Sequence, residues 1–279
     1  MENWTDIIPS VLKAPYTVYK NRKSINYWWK QLQAYADFGN TNIAVLGVAG
    51  TGKSVLTSCL YGEINNLNYS LPPTSKQVEN RAISLGEWTH LFRVIPGQGT
   101  TVRAKGLEES LNKNSRLNGI VYLVNFGYTE LRNAQERNNL IRSKGLKNIN
   151  DIRHYNLEIE LYDFRYIANK IIENHTLRHS PTWLCIVCNK ADLFFNEIEK
   201  AQSYYDINGY SKFSDELKRI RSFIGSNSMV IESLPVSAYQ KSFEWNNISV
   251  PSQITEVEQA SALIQNLVQT LSNLTDYGH

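Results

Sequence analysis

Cysteine is nearly absent from this 279-residue chain: Cys59, Cys185 and Cys188 are an odd number and too few for a disulfide framework. No window approaches the ~20 consecutive apolar residues that cross a bilayer, so no membrane span is expected. The opening MENWTDIIPSVLK lacks a basic stretch followed by a long apolar run, so no signal peptide is expected and a cytoplasmic location is. Charge excess is small, 29 Lys and Arg against 26 Asp and Glu for a net +3. Without a concentrated basic face, nucleic acid is not an expected partner. There is no internal repeat, low-complexity tract or obvious linker. No Gly-X-Ser-X-Gly elbow is present to support serine hydrolysis. What the chain does have is 42% hydrophobic residues, enough to bury a real core.

Near-continuous apolar runs mark central strands covered on both faces: 43–46, 119–125 (GIVYLVN) and 183–188 (WLCIVC), with 229–236 as a last strand. Segments 83–85 and 90–95 read as a hairpin joined at 86–89 (GEWT). Helical periodicity covers 157–172, 212–224 and 254–274. It also covers 24–38, a helix that either packs on the core or serves a partner. The alternation predicts an α/β fold: a P-loop three-layer α/β/α sandwich with a mostly parallel sheet and one antiparallel edge strand. Residues 1–39 are an N-terminal helical extension and 40–279 a single domain, with additions at about 131–156 and 239–253.

Gly47-Val48-Ala49-Gly50-Thr51-Gly52-Lys53-Ser54 satisfies the complete phosphate-loop pattern, between an apolar strand and a helix that begins near Ser54 and Val55. Gly47, Gly50 and Gly52 let backbone N–H groups turn inward around a phosphate, and the helix N-terminus adds its dipole. Lys53 is placed to bridge β- and γ-phosphates, and the Ser54 hydroxyl to ligate Mg²⁺. Asn189-Lys190-Ala191-Asp192 directly follows the strand 183–188. A carboxylate there accepts two hydrogen bonds from guanine, from N1–H and the exocyclic amine. Adenine has no such donor pair and would leave the carboxylate unpaired. Asn189 would brace the loop, and the Lys190 stem would cover the base.

Pro235-Val236-Ser237-Ala238-Tyr239 ends the last strand. With these elements in this order, the chain resembles the Ras-like GTPases of the translation-factor-related P-loop class over roughly residues 40–275. Val94-Ile95-Pro96-Gly97-Gln98 then stands at their third motif, usually Asp-x-x-Gly followed by Gln, with Val94 in place of the aspartate. The Pro-Gly-Gln version is similar to that of MglA-type bacterial polarity GTPases and of bacterial conflict-system GTPases, some of which act in pairs. The resemblance implies that the Gly97 N–H meets the γ-phosphate, that Gln98 orients the attacking water and that the Ala238 N–H meets guanine O6. Lys53, Gly97 and Gln98 would carry catalysis. Gly47, Gly50, Thr51, Gly52, Lys53, Ser54, Val55, Asn189, Lys190, Asp192, Ser237 and Ala238 would hold GTP or GDP, and Ser54 and Thr74 the Mg²⁺. The usual Lys after Ser-Ala is Tyr239.

The implied function is a molecular switch that hydrolyses GTP slowly and acts on a protein effector or answers to an activating protein. A homo- or hetero-dimer with another GTPase is compatible with it. Two alternatives stay open: a GTP-binding scaffold with negligible hydrolysis, which Val94 favours and Gln98 disfavours, and an ATP-binding P-loop protein. Thr74 follows Pro72-Pro73, where it is either the metal-sensing threonine or an ordinary loop residue. Arg81 is an internal arginine finger or a solvated strand-edge residue. Cys185-x-x-Cys188 has metal-site spacing, but on a strand positions three apart face opposite ways. Residues 131–153 carry six basic and two acidic side chains, a net +4 that suits either a solvated insertion or a docking surface.

Overall fold

Alternation along the central strands decides the architecture. In Thr41–Leu46 (β1), Ile43 and Val45 join one apolar layer while Ala44 and Leu46 join the other. The same period of two sends Val121, Leu123, Cys185 and Val187 to the first layer and Ile120, Tyr122, Leu184 and Ile186 to the second. Cys188 also lies in the second layer, so the two cysteines of the spaced pair face opposite sides of the sheet, both buried. A strand buried on both faces must have helices above and below it.

The computed structural model describes residues 41–60, 77–85, 88–97, 101–111, 117–176 and 180–276. The expected extension at 1–39, Thr74 and Gln98 lie outside the described residues, as does the Arg81 side chain. After β1 come the helix Lys53–Leu60 (α1), the strands Glu79–Leu85 (β2) and Trp88–Val94 (β3), the helix Thr101–Leu111 (α2) and the strand Leu117–Val124 (β4). The helices Ala134–Arg142 (α3) and Ile149–Thr176 (α4) precede the strand Trp183–Cys188 (β5). The helices Ile198–Tyr205 (α5) and Lys212–Ile224 (α6), the strand Val230–Pro235 (β6), a hairpin of Phe243–Trp245 (β7) and Ile248–Val250 (β8), and the helix Val257–Asp276 (α7) complete it.

Among the described residues the main sheet has the order β2-β3-β1-β4-β5-β6. All its pairings are parallel except that of β2 with β3, the predicted antiparallel edge. Helices α1 and α7 cover the layer of Val45 and Leu123 through Leu56, Leu60, Leu267 and Leu271. Helices α4, α5 and α6 cover the other layer through Phe164, Ile167, Ala201 and Phe213. This is the α/β P-loop fold that the strand–helix alternation predicts.

Residues 131–156, the first expected addition, are largely helical. The first part is α3, whose N-cap Asn133 accepts hydrogen bonds from the N–H groups of Gln135 (2.9 Å) and Glu136 (3.3 Å). The second part belongs to α4, which starts at Ile149 rather than near Leu157. The Asn148 side chain accepts from the Asp151 N–H (2.9 Å), and the Asp151 carboxylate accepts from the Asn148 N–H (3.3 Å). This reciprocal cap, rather than apolar periodicity, starts the helix two turns early. The 239–253 addition holds β7 and β8, joined at Asn246 and Asn247 with φ of 47° and 63°, the left-handed pair that a tight hairpin turn needs. The two additions meet: Trp245 Nε1 donates to the Leu146 carbonyl (2.8 Å) and Asn246 Nδ2 to the Lys147 carbonyl (2.9 Å).

Candidate functional site

The phosphate loop leaves the carboxyl end of β1, where an open parallel sheet places its ligands. Gly47, Gly50 and Gly52 have φ of 131°, 85° and 91°, a backbone that side chains resist. A Cβ on Gly50 would stand 2.3 Å from the Glu130 carbonyl oxygen, so the loop is backed directly by the chain following β4. Lys53, buried at the start of α1, donates Nζ hydrogen bonds to the Gly47 and Val48 carbonyls at 2.8 and 2.9 Å. Burial, and secondarily the Arg103 guanidinium, lower its pKa to about 7, against the pull of Asp163. Lys53 is therefore folded back on its own loop, with its ammonium form disfavoured relative to an exposed lysine.

Gly97 faces this loop. A Cβ there would stand 2.2 Å from the Ala49 nitrogen and 2.5 Å from the Val48 carbonyl oxygen, so only glycine lets the two backbones approach. Gly97→Ala should force them apart, destabilising the protein by about 1–3 kcal/mol as overpacking does. A lower thermal midpoint without nucleotide would report it; an unchanged midpoint would show that the loop yields freely.

The Gly97 carbonyl accepts from Arg103 Nη1 of α2 at 2.6 Å. The other arm of Arg103 pairs with Asp163 of α4, whose second oxygen accepts from the Tyr122 hydroxyl at 2.8 Å. Gly97, Arg103 and Asp163 line a cleft of about 610 Å³, with the phosphate loop on one side and Arg132, Glu136 and Tyr162 on another. The first addition thus borders the phosphate side of the site. Its charge is partly used internally: Arg153 pairs with Glu197 (3.4 Å) and lies over the rings of Phe126 and Tyr128.

Asn189 ties the far side of the site to the phosphate loop. Its Nδ2 donates to the Thr51 carbonyl at 2.9 Å, and its Oδ1 accepts from the Ala238 N–H at 3.3 Å. Lys190 sits at φ 59° and sends Nζ to the Tyr128 carbonyl (2.9 Å) and toward Glu130 (3.5 Å). Asp192 is 1% exposed. Its Oδ1 accepts from the Ser237 hydroxyl at 2.9 Å, whereas Oδ2 has no hydrogen-bond partner among the described residues. Burial raises its pKa, opposed by the Ser237 bond. The nearby Ser252 hydroxyl donates instead to the Ile254 carbonyl (3.1 Å), and the Gln253 N–H to the Asp192 carbonyl (2.6 Å). The second addition therefore lies against this end of the site.

The structure thus brings together the described members of the predicted set: the phosphate loop with Ser54 and Val55, Gly97, and the Asn189–Asp192 and Ser237–Ala238 segments. Sequence reasoning missed Arg103, Asp163, Glu79 and Glu160. Glu79, the first residue of β2, carries its Oε1 3.5 Å from the Ser54 hydroxyl. Glu160 is buried on α4, where its carboxylate accepts from Tyr205 Oη (2.5 Å), Thr129 Oγ1 (3.0 Å) and the Asn125 N–H (3.1 Å). It props the turn that backs Gly50. A signal for it existed, since Glu160 shares a helical stripe with Phe164, Ile167 and Ile171, all buried.

No protein-family model and no curated protein matches the chain. Among solved structures it is similar to the mammalian signal recognition particle (SRP) receptor, at 15% identity and TM-score 0.45 over 84% of this chain and 99% of that one. It is also similar to the SRP receptor SRb-GTP/SRX complex from Chaetomium thermophilum, at 14% identity and TM-score 0.41 over 72% and 94%. A third is a dimerization-deficient mutant of Toc33 from Arabidopsis thaliana, at 14% identity and TM-score 0.42 over 93% and 92%. Among the described residues no helix is long and apolar enough to cross a membrane.

Proposed function

We propose that the chain binds GTP and GDP with Mg²⁺ and acts as a nucleotide-dependent switch that hydrolyses GTP. The observation that carries the guanine reading is Asp192 Oδ2. A buried carboxylate oxygen without a donor is costly, and guanine would supply the donor that none of the described residues provides. The Asn189–Thr51 bond places that carboxylate in one rigid unit with the phosphate loop.

Phosphoryl transfer asks the protein for position and charge rather than covalent chemistry. Lys53 leaves the carbonyls of Gly47 and Val48 and turns its ammonium to the β- and γ-phosphates. The loop amides hold the β-phosphate, and the Gly97 N–H, already against the loop, holds the γ-phosphate. Gln98 orients the attacking water. Among the described residues no cluster of three His, Cys, Asp or Glu side chains could hold a metal by itself. Phosphate-bound Mg²⁺ needs none, because it takes one or two protein oxygens, phosphates and waters, and the Ser54 hydroxyl fits that role. When bound, Mg²⁺ neutralises charge across the β- and γ-phosphate oxygens. Thr74 is the proposed second ligand. Loops that sense the γ-phosphate then present or withdraw a surface for a protein effector, an activating protein or a second GTPase.

Displacement of a fluorescent GTP analogue by GTP and ATP is the test of nucleotide identity. ATP should bind more weakly by about 10³-fold or more, since it leaves Oδ2 unpaired. ATP binding as tight as GTP sinks the guanine reading. Val94 in place of an aspartate favours a second reading, a GTP-binding scaffold that does not hydrolyse. Single-turnover hydrolysis decides between them: Gln98→Ala should slow it on the order of 10-fold or more, as loss of a positioning group does. Equal, near-zero rates would select the scaffold.

A further inference from the structure

The chain lacks the aspartate expected at position 94, and Val94 is 1% exposed among apolar neighbours, where it can hold nothing polar. Its partner across the β2–β3 pair is Glu79. Residues directly opposite in an antiparallel pair project to the same face of the sheet. For Val94 that face is the α1 side, with Val55 and Leu56, and Ser54 stands next to them on α1. Glutamate is one methylene longer than aspartate and so reaches further from the adjoining strand. Its Oε1 lies 3.5 Å from Ser54 Oγ. That distance is long for a hydroxyl–carboxylate hydrogen bond, which lies near 2.5–3.0 Å. Two hard oxygens held side by side but loosely coupled can share a third group, and Mg²⁺ prefers such ligands. Of the carboxylates that line the cleft, Asp163 is engaged by Arg103 and Tyr122, and Glu130 pairs with Lys190 at 3.5 Å.

We infer that Glu79 holds Mg²⁺ beside Ser54, supplying from β2 the carboxylate that β3 lacks at Val94. This rests on the reading of the site as one for GTP, GDP and Mg²⁺. It makes the metal site a product of the hairpin register: a shift by one residue would turn Glu79 to the opposite face.

The test follows release of a fluorescent GDP analogue as Mg²⁺ is titrated from an EDTA baseline, in the wild type, Glu79→Gln and Glu79→Asp. The quantity read is the Mg²⁺ concentration that half-maximally slows release. Loss of a carboxylate around a metal costs about 10–100-fold in metal affinity, so Glu79→Gln should raise that concentration by about this factor. Glu79→Asp, with its charge kept and its reach shortened, should raise it less. A half-maximal concentration in Glu79→Gln equal to the wild type overturns the inference. If Glu79→Gln binds no nucleotide even in EDTA, Glu79→Asp decides on the same criterion, and an unshifted value there overturns it as well. A wild type that binds GDP with no Mg²⁺ dependence removes the metal role of Glu79 and leaves the guanine reading standing. A wild type that binds no guanine nucleotide removes both.

Discussion

Asp192→Asn is expected to lose GTP affinity by about 10²–10⁴-fold. Two hydrogen bonds to a charged acceptor contribute about 1.5–3 kcal/mol each, and every 1.4 kcal/mol is tenfold. The substitution is nearly isosteric, keeps an acceptor for the Ser237 hydroxyl and removes a buried charge, so the fold should survive. Specificity should also move in a stated direction. An asparagine amide offers one acceptor and one donor, which matches xanthine, whose 2-position is a carbonyl rather than an amine. Xanthosine triphosphate should therefore bind the variant better than GTP does. Calorimetric titration of wild type and variant with GTP, ATP and xanthosine triphosphate reads this directly. GTP affinity unchanged by Asp192→Asn would mean that Oδ2 does not meet the base.

Lys53→Gln is the second large effect. Removing one partner of a buried charge pair costs about 3–5 kcal/mol, or roughly 10²-fold to several thousand-fold in affinity for GTP and GDP. GMP, which lacks the β- and γ-phosphates, should be little affected, and that contrast separates loss of a phosphate contact from loss of the fold. The wild type should also show proton linkage. In the free protein Lys53 titrates near pH 7, because burial and then Arg103 disfavour its charge. Bound phosphates favour the ammonium and raise that pKa. Below about pH 7 the lysine is protonated in both states and contributes no pH dependence. Above it the free protein has lost the proton and must take one up to bind, so affinity falls as pH rises, by at most tenfold per unit. Titrations at pH 8 in buffers of different ionisation enthalpy should detect proton uptake in the wild type and less in Lys53→Gln. Equal uptake in both would assign the linkage to another group.

What the sequence made legible was local. GVAGTGKS lies between a strand and a helix, NKAD directly follows an apolar strand, and 86–89 marks a hairpin; each is a short pattern whose physics is complete within itself. The strands were readable because burial on both faces leaves long apolar runs. The start of α4 was not, since its first two turns are set by the Asn148–Asp151 cap rather than by a stripe of apolar residues. Arg103 and Asp163 are ordinary helix residues until α2 and α4 are brought together at the cleft. The role inferred for Glu79 depends on strand register, which a single sequence does not display. Val94 marked a motif without its aspartate, and the carboxylate inferred to stand in for it lies across the hairpin.

The bond from Asn189 to Thr51 has a consequence for how the protein is made. It joins residues 138 positions apart. The phosphate motif is complete once Ser54 has been synthesised, yet the loop gains this brace only after β5 has been added to the sheet. Contacts so distant in sequence form late, after the loop-closure cost has been met. A fragment ending before Asn189 would contain all of GVAGTGKS without its support, and nucleotide would stabilise only the chain in which both ends of that bond are present.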